Sequence, residues 1–225
     1  VDRSRGLGDV YKRQITDTEV NHLAHRIATD AATHTVVPTH WEERLDGGFL
    51  ASFRGVVHRL DGLHGHVHLI PHRRPSAVSS PPRVLVRRLK GDGVHDGNEI
   101  ASFPEGALDG LAITLADENK YDGEPWELDR ELAAHDGVIT QSVTLASEAA
   151  LLGTPVLLIS SAERGFLNRL EQEGAPLFRW RGAGAEEEWL AVQAQFLAGL
   201  HLTDALDAAD WPDAKSQLSS WLHRR

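Results

Sequence analysis

The sequence predicts an α/β protein built on parallel sheet. Three observations carry that prediction: strand-like and helix-like segments alternate along most of the chain, residues 137–159 hold a complete β-α-β unit, and a proline-rich stretch at 71–82 separates two such regions. With 225 residues, 41% of them hydrophobic and 25% charged, the chain can bury one or two sizeable cores.

Residues 1–14, VDRSRGLGDVYKRQ, have no apolar periodicity and read like a translated sequencing-adapter segment at the edge of assembled metagenomic sequence. They are set aside as a non-native leader, and because the chain contains no methionine its true start is expected upstream, making it a fragment. Thr16-Asp-Thr-Glu19 forms a T-x-x-E capping box ahead of Val20, Leu23, Ala24, Ile27, Ala28 and Ala31, which share one helical face. Thr35–Pro38 reads as a short buried strand, 40–45 as a helical turn and Val56–His58 as a second strand. The remnant 15–70 is therefore one α/β domain. Residues 71–82 hold four prolines and three serines, which stiffen a connector and prevent regular pairing.

The second domain is assigned to 83–202. It opens with a strand at Val84–Val86, followed by a glycine-rich loop at 90–97, a strand at Leu111–Leu115 and a helix at 125–134. Gly137–Thr140 and Val156–Ile159 are uniformly apolar runs typical of buried parallel strands, joined by an alanine-rich helix from Thr144 that Gly153 stops, with Pro155 beyond. A helix at 166–173 closed by Gly174 leads into Pro176-Leu-Phe-Arg-Trp180, an amphipathic helix at 186–200 follows, and a terminal helix at 203–225 carries Leu218, Trp221 and Leu222.

Composition narrows the function classes. Thirty-three acidic against 23 basic residues leave a net charge of −10, which argues against a nucleic-acid partner. Protonating all 13 histidines would carry that charge to +3, so behaviour is expected to change below about pH 6. The absence of cysteine excludes disulfides, thiolate metal sites and a cysteine nucleophile, and fits a reducing cytoplasm. The longest apolar run, Leu151–Ile159, is interrupted by Gly153, Thr154 and Pro155, so no transmembrane segment is expected.

In a parallel sheet, ligands sit beyond the carboxyl ends of strands, where helix N-termini present unpaired N–H groups. Thr140-Gln141-Ser142-Val143-Thr144 is such a place: the Ser142 and Thr144 hydroxyls, with backbone N–H groups, suit a phosphate, Gln141 is counted as a further substrate contact, and Glu148, one turn later, suits sugar hydroxyls. Simple helix capping explains the same residues equally well. In the loop 90–97, three glycines allow close backbone approach and His95 suits an acid or base, against the alternative of a surface histidine. Asp117-Glu118 suits either cation binding or an ordinary turn. His64, His66 and His68 would share one face of a strand, with His72 nearby, a pattern compatible with a metal or with a solvated strand. The basic cluster Arg73, Arg74, Arg83, Arg87 and Arg88 suits a diphosphate or peripheral contact with an anionic membrane. Trp180, Trp189, Trp211 and Trp221 read as packing anchors.

The segment from Asp136 through Gln141-Ser-Val-Thr-Leu-Ala-Ser-Glu-Ala-Ala-Leu-Leu-Gly-Thr-Pro155 resembles the S-G-T-x-x-x-E-A-A-L-L-G-T-P segment of a glycosyltransferase-like family, domain of unknown function family 354. That family is similar in turn to UDP-N-acetylglucosamine 2-epimerases and to the N-acetylglucosamine transferase of peptidoglycan synthesis. The resemblance covers roughly residues 15–180. It implies a GT-B-like architecture, here an incomplete N-terminal Rossmann-like domain plus a C-terminal Rossmann-like domain, with a nucleotide sugar such as a UDP-sugar between them. It also implies that Ser142 and Thr144 face the phosphates and Glu148 the ribose, and that Arg87 matches an arginine at the end of the first C-domain strand. No cofactor and no metal are implied. Val143 stands where the family has glycine, and its β-branch keeps the backbone farther from a ligand.

The expected function is therefore glycosyl transfer from a nucleotide diphosphate sugar, with the fragment itself inactive and a homodimer possible in principle. The alternatives are epimerisation, non-catalytic nucleotide-sugar binding and, from a different class, a histidine-based metal-binding module.

Overall fold

The computed structural model describes residues 12–72, 74–75, 77–90, 100–117, 124–201 and 212–223. It divides the chain into two compact units, Val1–His64 with Pro212–Arg225, and Gly65–Trp211. Each is an α/β assembly on a fully parallel sheet. The proline-rich stretch 71–82 lies inside the second unit, where Asp136 Oδ2 accepts the N–H groups of Ser79 and Arg83 at 3.2 and 2.7 Å.

The first unit has strand order β1 (Arg13–Ile15), β2 (His34–Pro38), β3 (Val56–Leu60), with α1 (His22–Ala31) and α2 (Phe49–Ser52) in the crossovers. Arg13 and Gln14, set aside by sequence with the leader, belong to β1 and pair with His34 and Thr35. A three-residue edge strand joins a ladder through its backbone and needs no apolar pattern of its own. The capping box also fails: Glu19 is buried and its Oε1 accepts the Glu42 N–H at 3.1 Å, so the cap passes to Asn21, whose side chain accepts from the Ala24 N–H at 3.3 Å. α1 then turns His25 and Ala28 inward and leaves Leu23 and Ile27 about 60% exposed.

The core of this unit is aromatic: Ala28, Val37, Trp41, Phe49 and Phe53, with the His25 ring stacked 4.5 Å from Phe49. The helix Ala214–His223 returns to this unit. Its Trp221 meets the His58 ring edge-on at 5.5 Å, and the Gln217 amide exchanges two hydrogen bonds with the Asp61 backbone.

The second unit opens with a single helical turn, α3 (Gly65–His68), and carries a five-stranded sheet. Its strands are β4 (Arg83–Arg87), β5 (Ala112–Leu115), β6 (Gly137–Thr140), β7 (Val156–Ile159) and β8 (Leu177–Trp180), in the order β5-β4-β6-β7-β8. The interleaved helices are α4 (Leu128–Ala134), α5 (Val143–Leu151), α6 (Gly165–Gln172) and α7 (Glu186–Gly199). β6 and β7 are buried along their whole length, as their uninterrupted apolar runs predict. Val84, Val86, Ile139, Leu157 and Ile159 form one core with Trp180, Trp189 and Phe196. α5 ends at a glycine because the chain must enter left-handed geometry: Gly153 has φ 73°, and the N–H of Thr154 reaches back to the Ala149 carbonyl at 2.9 Å.

Candidate functional site

The chain runs from β4 outward to β5, then crosses back to β6 and continues through β7 and β8 on the other side. The direction of winding thus reverses between β4 and β6, the place where open parallel sheets bind ligands beyond their carboxyl ends. Arg87 ends β4 in register with Thr140, the last residue of β6, and the Arg87 carbonyl accepts the Gln141 N–H at 3.2 Å. Thr140 Oγ1 accepts the Ser142 N–H at 2.9 Å, and Ser142 Oγ caps α5 by accepting from the Leu145 N–H at 3.3 Å. Ser142 is half-buried and Thr144, in the first turn of α5, is exposed. The sequence therefore folds Arg87, Ser142 and Thr144 onto one edge.

Gln141 does something else. Its side chain is buried, its Oε1 accepts the Leu89 N–H at 2.9 Å, and its Nε2 donates to the Ala101 carbonyl at 2.7 Å. Both ends of the amide are committed to backbone on the two flanks of residues 91–99. Expected as a ligand contact, Gln141 is a brace across the crevice. The loop that carries His95 lies outside the described residues, as do Arg73, Glu118 and Trp211.

Glu148, also buried, lies two turns into α5, and its Oε1 stands 3.2 Å from His68 Nε2. His68 is the residue whose role the sequence reading missed. The alternating histidines were expected in a strand, yet residues 65–68 form a helical turn, so His64, His66 and His68 do not share one strand face. The available signal was Gly65, three residues before His68 and one helical turn away. Among the described residues no three His, Asp or Glu side chains are grouped to hold a metal ion.

Arg74, Arg83 and Arg88 of the arginine cluster take separate partners. Arg74 donates to the Gly153 and Asp136 carbonyls at 2.9 and 3.0 Å, Arg83 donates to the Ala134 carbonyl at 2.7 Å, and Arg88 pairs with Asp117 at 2.7 Å. Asp117 thereby serves as an ion-pair partner at the end of β5, and that contact holds the Arg88 pKa above its ordinary value. Trp180, Trp189 and Trp221 are buried, whereas Trp126 is 91% exposed. The first unit has a separate cavity of about 380 Å³ between its sheet and the helix Ala214–His223, lined in part by His58, Arg59, Ser220 and Trp221. No helix among the described residues is long and apolar enough to cross a membrane.

No protein-family model matches the chain, family 354 included, and no curated protein matches it. Among solved structures, one that aligns is the apo UGT2 of Phytolacca americana, at 11% identity and a TM-score of 0.35. The alignment covers 89% of this chain and 56% of that one, so the chain spans little more than half of its length. At that similarity the α/β assignment rests on this chain's own parallel sheets, and the match lends it no weight.

Proposed function

We propose that the second unit binds a nucleotide diphosphate sugar beyond the carboxyl ends of β4 and β6, and that the protein belongs to glycosyl-transfer chemistry. The observation that supports this reading is the winding reversal at β4 and β6, which brings Arg87 and the capped N-terminus of α5 to one edge, with Glu148 two turns along the same helix. The α5 N-terminus and the Arg87 guanidinium offer oriented donors and positive charge to a diphosphate. Those are the groups that stabilise a departing nucleoside diphosphate as its charge develops. Thr144 adds an exposed hydroxyl beside the cap, and the Glu148 carboxylate accepts hydrogen bonds from ribose hydroxyls. Gln141 holds the crevice walls together.

Calorimetric titration of the whole chain with UDP, GDP, CDP and dTDP tests this. One diphosphate is expected to bind in the micromolar range, and Arg87→Ala and Glu148→Ala are each expected to weaken it about tenfold or more. Unchanged affinity in both variants sinks the site.

A non-catalytic binding role is the second reading. It is favoured by Val143, whose β-branch stands at the first turn of α5, and by the Gln141 amide spanning the crevice. Release of nucleoside diphosphate from the matching sugar donor, measured on a full-length homologue, separates the two: turnover supports transfer, and binding without turnover supports the binder.

A further inference from the structure

α3 is only one turn long, yet its register against α5 is defined at two points. Gly65 lies on Leu151, where an added Cβ would come within 2.5 Å of Leu151 Cδ1. Three residues forward on α3, His68 meets Glu148, three residues back on α5, at 3.2 Å. The two helices therefore run antiparallel with one turn matched to one turn, and glycine at 65 is what lets the backbones come close enough for the ring to reach the carboxylate. Just past α3 the chain is pinned again: Asp129 Oδ2 on α4 accepts the Ile70 N–H at 3.2 Å and stands 3.1 Å from His72 Nε2. Burial alone would raise the Asp129 pKa, but the Arg130 N–H, the His72 ring and the Ile70 N–H more than offset it and hold it low, keeping a charged anchor at this point. His68 is thus held between two fixed contacts.

The chemistry of the pair is directional. A carboxylate only accepts, so the tautomer of His68 that fits this contact is the one with Nε2–H donating to Oε1. One Glu148 oxygen is committed to the ring, and the second oxygen keeps its lone pairs. The Glu148 side chain is 11% exposed and the His68 ring 42%, so the carboxylate is largely enclosed and the histidine stands at its rim.

We infer that His68 is a positioning residue of the nucleotide-sugar site: it orients the Glu148 carboxylate toward the sugar hydroxyls, and α3 is part of that site. This inference rests on the function proposed above. It assigns a role to the segment 65–72 that an ordinary surface packing role does not predict, because the effect runs through one nitrogen of one ring.

The test uses the whole chain, the four nucleoside diphosphates and five proteins: the parent, Glu148→Ala, His68→Gln, His68→Asn and His68→Ala/Glu148→Ala. The glutamine amide places a donor near the Nε2 position, and the shorter asparagine amide does not. His68→Asn is expected to weaken binding of the preferred diphosphate about tenfold, and His68→Gln to stay within about twofold of the parent. The double variant is expected to be no weaker than Glu148→Ala alone, since His68 acts through Glu148. Urea unfolding midpoints for all five confirm that the comparison is between folded proteins. If Glu148→Ala weakens binding while His68→Asn and His68→Gln both match the parent, or both fall equally, the positioning role is overturned and the nucleotide site stands. A parent that binds no diphosphate, or a Glu148→Ala variant that binds like the parent, overturns the site and the inference with it.

Discussion

The two units use parallel sheet in opposite ways. In the second, the central strands β6 and β7 are buried along their whole length, and several buried polar groups sit at the ends of elements, as with Gln141, Asp136 and Thr154. In the first, β3 leaves Val56 and Val57 substantially exposed, and the aromatic core is accompanied by buried polar side chains such as Glu19, His25 and Asp46. Asp46 is the centre of that arrangement. Its carboxylate accepts from Trp41 Nε1 at 3.0 Å and from the N–H groups of Gly48, Phe49 and Leu50 at 2.7, 3.0 and 3.1 Å. Burial by itself would raise its pKa, but the Trp41 N–H and the three backbone N–H groups outweigh that and hold it below the ordinary 3.8. A wide sheet with two covered faces is stabilised by area. A narrow three-stranded one depends on a few well-satisfied polar groups, and loses more when one of them is removed.

That contrast gives its largest expected effect at Leu157, which is fully buried in the middle of β7. Leu157→Ala should cost about 4 kcal/mol, the lost transfer energy plus a cavity in a close-packed interior. The counterpart in the first unit is Leu23, an apolar residue of α1 whose replacement by alanine should fall within about 0.5 kcal/mol of the parent because it is 61% exposed. Urea unfolding midpoints decide it, and a small loss at Leu157 breaks the comparison. Next in size is Asp46→Ala, expected to cost about 3 kcal/mol by stranding the Trp41 N–H and the turn N–H groups without their acceptor. Asp46→Asn should cost less, since one acceptor oxygen remains. Hydrogen exchange at Gly48, Phe49 and Leu50 is the direct readout.

The same contrast explains what the sequence made legible. β6 and β7 announce themselves as uninterrupted apolar runs, and Gly153 and Gly174 mark the helix ends where their positive φ places them. The Ser142 cap followed from that, because the cap of α5 is a local consequence of a strand meeting a helix. What stayed hidden depends on distant partners. β1 forms only because β2 offers a ladder, and Glu19 leaves its capping box only because Glu42 presents an N–H from 23 residues away. His68 is one residue in a two-residue rhythm until α5 supplies Glu148 across 80 residues of chain. Gln141 reads as a ligand group until Leu89 and Ala101 claim both ends of its amide.

The pH-dependent effect is the most diagnostic, and it concerns His25. Its ring is packed on Phe49 and tilted against Trp41, and its Nε2 stands 3.1 Å from the Thr18 carbonyl, so the neutral tautomer protonated at Nε2 is the one that fits. Burial pushes its pKa below the ordinary 6.5, with His22 adding repulsion, against smaller raising effects from the Thr18 carbonyl and Asp46. The sign follows from proton counting. Above pH 6.5 the ring is neutral folded or unfolded and the first unit has its full stability. As pH falls from 6.5 toward the lowered folded value, the unfolded chain binds the proton first and stability drains away; below that value the loss is complete. The Asp46 contribution behaves differently, persisting until pH falls below about 3.8. Each tenfold reduction in the proton affinity of the folded ring corresponds to about 1.4 kcal/mol, so a single histidine should produce a modest shift between pH 7.5 and 5.5. His25→Phe keeps the stack on Phe49 and removes the titration. Its unfolding midpoint, followed by hydrogen exchange in β2 and α1, should vary less across that range than the parent's. Equal pH dependence in the two proteins would place the acid sensitivity of the first unit on other groups.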